Sequence, residues 1–297
     1  MTALRRLHHR LRERWHRFWE AFTRPFRAVW AFFTEPPQER PMDQVLEEAL
    51  RHPESLWVHL EALRRHVARA VVVYIIVAFA SLAFVPQTLA FLAAPIGGVE
   101  NLQAIEVTEP IGVSMRVALL VAFVLTLPYI YLELFFFVAP GLYPRTRVLG
   151  LFLMPLVLAL FLAGMAFAYR FFLPVALPFL LNFMGIPAVP RPASYIRFVT
   201  TMLFWSGLSF EYPLVIFVLA RLGWVQARAL WKHWRIAVVA IAVLAAFITP
   251  TVDPLNMILV MAPLTALYFI GAVLATIAQR KAPGQTPSPA ARGEEGA

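Results

Sequence analysis

This sequence predicts an all-α polytopic membrane protein with six transmembrane helices, on three observations. Hydrophobic residues make up 60% of the 297 positions and charged residues only 14%, against roughly 25% charged in a soluble domain. The apolar residues gather into six runs, each near the ~20 residues a helix needs to cross a bilayer. The basic residues concentrate in alternate connecting loops, the bias that orients membrane proteins.

The elements follow in order. Residues 1–41 are a basic N-terminal extension. Leu4, Leu7, Leu11, Trp15, Phe18 and Phe22 recur at steps of three and four, one helical face, with Arg5, Arg6, Arg10, Arg12, Arg14 and Arg17 between them. That pattern suits an amphipathic helix lying on an anionic membrane surface; a poorly ordered basic tail accounts for the same residues. Pro36, Pro37 and Pro41 break the segment. Residues 42–281 form the membrane domain. Its spans are expected at about 67–85, 111–138, 148–172, 196–219, 236–248 and 255–277, the fifth being short for a crossing. Pro128, Pro155, Pro213 and Pro263 lie inside spans, so kinks are expected whose freed carbonyls need protein or water partners. Residues 174–181 are apolar and are expected to cap the bundle or lie on the outer interface. Residues 282–297, rich in Pro, Gly and Ala, read as a disordered tail.

Loop charges set the orientation. Arg64, Arg65 and Arg69 precede the first span, and Arg145 and Arg147 follow the second. Arg221, Arg228, Lys232 and Arg235 lie between the fourth and fifth, and Arg280 and Lys281 follow the sixth. The opposite loops carry Glu100, Glu106, Glu109 and Asp253 with Arg191 as their basic residue. Both termini are therefore expected on the cytoplasmic side. The net charge of +9 follows from the same bias and needs no nucleic acid to explain it.

The chemistry a catalyst would need is missing. Without cysteine there is no disulfide and no thiolate metal site. The seven histidines lie outside the spans or at their edges, which removes an intramembrane Ser–His pair and a histidine metal site. No HExxH pair, Walker loop or GxSxG elbow is present. The chain reads as a non-enzyme whose energy comes from a partner or from the membrane potential. Glu211 stands nearly alone as an acid at membrane depth, where a carboxylate costs at least a few kcal/mol and usually faces a bundle interior or a wet cavity. Gly207 and Ser209 before it allow close backbone approach, and Pro213 follows. Glu211 is a place to hold a partner segment or substrate; a structural acid bonded to a neighbouring helix is the plainer alternative. From the residues alone, a small-solute transporter coupled through Glu211 also stays open.

The order of motifs resembles one family, the TatC component of the twin-arginine protein translocase. His59 to Arg65 looks like that family's cytoplasmic helix before the first span. Phe136-Phe137-Val138-Ala139-Pro140-Gly141-Leu142-Tyr143-Pro144 is similar to its first cytoplasmic loop. Gly164 to Tyr169 and Leu173 to Leu180 resemble its third span and second exterior loop, Gly207 to Pro213 its fourth span, and Thr249 to Pro254 the loop before its last. The similarity covers roughly residues 54–279.

The resemblance implies a glove-shaped six-helix bundle without a cofactor. It would sit in the cell inner membrane and receive folded proteins bearing a twin-arginine signal peptide. It would work with single-span TatA- and TatB-like partners and the proton motive force. It also implies candidate signal-peptide contacts at Glu61, Arg64, Arg65, Glu133 and Phe137, and an intramembrane partner site at Glu211. Pro128, Pro140, Tyr143 and Asp253 come over as shape-setting or loop positions. Two positions depart from the family: Ala62 and Thr146 stand where glutamates usually contact the arginine pair. Two guanidiniums are best met by carboxylates in fork geometry, which alanine and threonine do not supply. Glu61 and Glu133 are the acids near enough in sequence to substitute. Each has a plainer reading, Glu61 as a solvated helix charge and Glu133 as the partner of Arg145 or Arg147. A divergent member that has lost twin-arginine recognition is the companion reading.

Overall fold

The computed structural model describes residues 53–139, 144–182, 189–248 and 254–280. The N-terminal extension 1–41, the tail 282–297, Pro140, Tyr143 and Asp253 lie outside the described residues. The described chain is helical, without a strand. It runs α1 (Pro53–Ser81), a 3-10 turn (Leu82–Phe84), α2 (Val85–Ala93), two further 3-10 turns (Ala94–Ile96 and Val99–Asn101) and α3 (Glu109–Val138). It continues with α4 (Pro144–Phe167), a π-helical turn (Ala168–Phe172), α5 (Leu173–Leu181), α6 (Pro192–Arg221), α7 (Ala227–Lys232), α8 (Trp234–Ile248) and α9 (Pro254–Arg280).

Five helical stretches are long and apolar enough to cross a membrane: Leu60–Ile96, Glu109–Val138, Arg147–Leu181, Pro192–Arg221 and Met257–Gln279. Trp234–Ile248 is a shorter sixth apolar helix, as its 15 residues lead one to expect. At 1.5 Å per residue it is about 22 Å long, against ~30 Å of hydrocarbon. The first and third stretches run well past the expected ends. Val85 and the residues after it continue from α1 through a 3-10 turn, and the apolar residues 174–181 continue from α4 through a π turn. Such turns let a helix change direction without giving up its backbone hydrogen bonds.

The chain divides into two compact units, Met1–Val73 with Leu127–Leu156, and Tyr74–Thr126 with Val157–Ala297. The second unit holds the main core. Leu92, Val117, Leu173, Ile196 and Val199 are almost fully buried at its centre, and α6 packs along α9 with α8 beside them. α4 and α6 meet at their backbones. A Cβ on Gly164 would lie 2.5 Å from the Ser206 carbonyl oxygen and 2.8 Å from the Gly207 Cα. Gly207 has the Phe161 ring 2.8 Å from where its own Cβ would be. The Ser206 hydroxyl donates to the Gly164 carbonyl at 2.9 Å across the same contact. Close approach through small residues is how helices gain packing in lipid, where no hydrophobic drive separates them from the solvent.

Backbone carbonyls at membrane depth find partners within this unit. Tyr195 donates to the Leu92 carbonyl at 2.7 Å, Tyr169 to that of Phe91 at 2.8 Å, and Tyr74 to that of Leu119 at 3.1 Å. Thr126, Thr200, Thr265 and Thr276 return their hydroxyls to the carbonyl four residues back, which satisfies them locally.

A clamp joins the segment before α3 to the segment before α6. The Arg191 Nε donates to Glu109 Oε1 at 2.9 Å, its Nη2 bonds the same oxygen, and Nη2 reaches Glu106 Oε1 at 3.3 Å. Beside it, the Gln103 amide donates to the Pro190 carbonyl at 3.3 Å. Hydrogen bonding to Glu109 raises the Arg191 pKa further above its ordinary value, so the guanidinium stays charged. Glu109 is buried, and its second oxygen has no partner among the described residues. Removing a buried carboxylate's cation leaves that charge uncompensated, which destabilises far more than the pair itself stabilises. Arg191→Gln is therefore expected to lower the melting temperature in detergent clearly. Adding Glu109→Gln should recover part of the loss; a double variant no better than the single one sinks this account.

Candidate functional site

Every contact of this site lies in the first unit. On α3, Tyr129, Glu133 and Phe137 fall four residues apart and share one face. On α1, His66 and Arg69 are three residues apart and also share a face. Glu133 is buried at 6% exposure, and its carboxylate gathers the cluster. Oε1 accepts the Tyr129 hydroxyl at 2.6 Å. Oε2 meets His66 Nδ1 at 2.6 Å and Arg69 Nη2 at 3.4 Å. At that distance Nδ1 must carry its proton toward the carboxylate, so the Arg69 Nη2 lying 3.1 Å from the same nitrogen cannot donate to it. Arg69 is thus an ion-pair neighbour of Glu133, more than half exposed and weakly held. The His66 ring presents its edge to half-buried Phe137 at 6.1 Å between centroids.

The surroundings hold this arrangement still. Tyr131 donates to the Gly150 carbonyl at 2.7 Å, and Gly150 has the Phe135 ring 2.3 Å from the position of an added Cβ. Buried Arg147 donates its Nε to the Ala139 carbonyl at 2.8 Å, satisfying the backbone just past the end of α3.

The predicted residues divide into those that meet and those that do not. Glu133 and Phe137 come together. Glu61 and Arg64 pair with each other at 2.7 Å, both exposed, and Arg65 leans on the Glu61 carbonyl at 3.4 Å. Five residues on a helix turn a side chain by about 140°, so Glu61 sits off the His66 face. Pro128 lies inside α3, one residue before Tyr129. Glu133 takes Tyr129, His66 and Arg69 where the sequence offered Arg145 or Arg147; Arg147 turns to the Ala139 carbonyl, and the Arg145 side chain lies outside the described residues.

Sequence reasoning set His66, Arg69 and Tyr129 aside. His66 counted as a histidine at the edge of a span and Arg69 as one of the orienting arginines. The signal that would have found them is the acid itself: a carboxylate near the end of a span needs donors, and the preceding span supplies them at a spacing of three.

Glu211 belongs to the second unit. It is buried in α6, one oxygen facing the backbone amide of Phe161 on α4 and the other without a partner among the described residues. A cavity of about 340 Å³ opens on α6, α8 and α9, lined by Trp205, Ser209, Tyr212, Leu244, Leu264 and Tyr268 among others. Glu211 is not among its lining residues, and its contact is with α4.

Among the described residues no three His, Cys, Asp or Glu side chains gather as a metal site would require. What the fold presents is a multi-pass helical membrane protein with a carboxylate-centred polar cluster at the end of its second span. Residues 58–263 match the family model of the Sec-independent protein translocase protein (TatC), and the chain belongs to that family. The Sec-independent protein translocase protein TatC of Deinococcus radiodurans is 36% identical over 269 residues, covering 86% of this chain and 97% of its own. That of Carboxydothermus hydrogenoformans is 33% identical over 232 residues, covering 77% and 96%. A crystal structure of the twin arginine translocase receptor TatC superposes with a TM-score of 0.67 at 28% identity, covering 75% of this chain and all of that one. The chain is thus a membrane-embedded component of the Tat protein translocase, a transport subunit and not an enzyme, and it takes its place in a complex with other Tat subunits.

Proposed function

We propose that this chain is the receptor subunit of the translocase. It sits in the cell membrane with both termini cytoplasmic and binds the signal peptides of folded proteins at that face. It assembles with single-span TatA- and TatB-like partners, and the proton motive force drives export. The observation that carries this reading is Glu133. With Ala62 and Thr146 where the family has acids, Glu133 is a buried carboxylate already built to receive a guanidinium, since Arg69 occupies one of its oxygens. An arriving arginine takes the place of exposed Arg69 as the cation beside Oε2, a charge-assisted contact on a carboxylate that Tyr129 and His66 hold in position. Phe137 takes the apolar part of the peptide, Arg64 and Arg65 frame the entrance, and Glu61 meets the second arginine. Glu211 serves the partner helices from inside the bundle.

A photoreactive group at Phe137, in membranes, with a twin-arginine peptide and a twin-lysine control, tests the reading. An adduct formed by the first peptide alone supports it. Equal or absent adducts with a correctly inserted protein favour the second reading, a divergent member that keeps the scaffold and has lost twin-arginine recognition. Ala62 and Thr146 are the observation behind that second reading.

A further inference from the structure

Between Glu211 and Asp253 the chain has no acidic residue, and its connection from α6 to α8 carries Arg221, Arg228, Lys232 and Arg235. All four are exposed, and none has a carboxylate partner among the described residues. Three tryptophans share the segment and are exposed as well, Trp224 at 64%, Trp231 at 44% and Trp234 at 42%. The Arg235 guanidinium lies 5.7 Å from the centre of the Trp234 ring.

Loop charge alone would orient the protein from a floppy segment, but this one is held from behind. The Gln279 side chain on α9 accepts from the Ala227 amide at 3.2 Å and donates to the Val225 carbonyl at 2.9 Å. Tyr268 donates to the Leu230 carbonyl at 2.7 Å, and Trp231 Nε1 to the Thr276 hydroxyl at 3.3 Å. Ala227 is buried and Leu230 half-buried, which fixes the inner face of α7. Arg228 and Lys232, four residues apart, share the outer face, roughly 5–6 Å between their Cβ atoms. A phosphodiester fits between two cations so placed. Tryptophan favours the depth at which headgroups meet hydrocarbon, and the segment joins the ends of two apolar helices, Pro192–Arg221 and Trp234–Ile248.

We propose that the connection Arg221–Arg235 is a preorganised binding site for an anionic phospholipid headgroup, with Arg228 and Lys232 gripping its phosphate and Trp224, Trp231 and Trp234 seated in the adjoining interface. The occupant is a bilayer lipid because charge and aromatic surface coincide at the ends of two apolar helices. The proposal stands apart from signal-peptide recognition.

The test uses the full-length protein in nanodiscs of mixed phosphatidylglycerol and phosphatidylcholine, with retained lipids counted by native mass spectrometry after mild delipidation. The wild type is expected to retain phosphatidylglycerol preferentially. At about tenfold per 1.4 kcal/mol and ~1 kcal/mol per cation, Arg228→Gln with Lys232→Gln should weaken retention roughly thirtyfold. The charge-conserving pair Arg228→Lys with Lys232→Arg should keep most of it. Arg64→Gln with Arg65→Gln removes the same net charge elsewhere and should leave retention unchanged. Equal loss from both glutamine pairs overturns the proposal, since bulk charge would then explain the binding. Equal retention of both lipids by the wild type overturns it without any variant.

Discussion

Glu133→Gln is expected to weaken binding of a twin-arginine peptide by about ten- to a hundredfold, the fold-change equivalent of losing one charge-assisted contact of about 1.5–3 kcal/mol. Glutamine keeps the shape of the side chain and its bond to the Tyr129 hydroxyl. What it loses is the charge that a guanidinium needs. Twin-lysine binding should fall much less, so the ratio of the two affinities is the quantity to measure. Arg69→Gln should act in the opposite direction. It removes the cation 3.4 Å from Oε2, so an incoming arginine no longer competes with one. An unchanged ratio in Glu133→Gln, with the melting temperature of the wild type, would remove Glu133 from recognition and leave Glu61 as the acid to replace.

Gly164→Ala should produce the largest loss of stability of any single methyl group. The added carbon falls 2.5 Å from a carbonyl oxygen and 2.8 Å from an α-carbon, and backbone atoms cannot rotate aside. Overpacking costs about 1–3 kcal/mol where neighbours can shift, and here α4 and α6 must separate. The separation also lengthens the 2.9 Å bond from Ser206, worth about 1 kcal/mol. A total of about 2–4 kcal/mol is expected from denaturation in detergent. Gly112→Ala is the matched control, because nothing lies within 4 Å of its added carbon. Equal stabilities for the two variants would mean that the α4–α6 contact is looser than its geometry.

Much of the fold was legible because the bilayer simplifies the problem. Apolar length gives the spans and loop arginines give an expected orientation, and both signals are read residue by residue. The short α8 was visible for the same reason. The ends of the first and third stretches were not, because apolar residues past Val85 and Phe172 look like loop caps until one knows that 3-10 and π turns carry the helix onward. The site was legible only in part. Glu133 and Phe137 stand four apart and announce a shared face. His66 and Arg69 are distant in sequence and join them through the pairing of α1 with α3, which no local pattern encodes. The Arg191 clamp was hidden likewise: its three charges were each read as loop residues, while their partnership spans 82 positions.

The 15 described residues of α8 span about 22 Å, less than the ~30 Å of hydrocarbon. Lipid beside this helix must compress or tilt, at a fraction of a kcal/mol for each ångström. That elastic cost is borne by the membrane and not by the protein. It falls when a second compressed patch merges with the first, so neighbours with similarly short spans are drawn to the α8 side without touching it. Binding of short-spanned neighbours on the α8 side is therefore expected to strengthen as acyl chains lengthen.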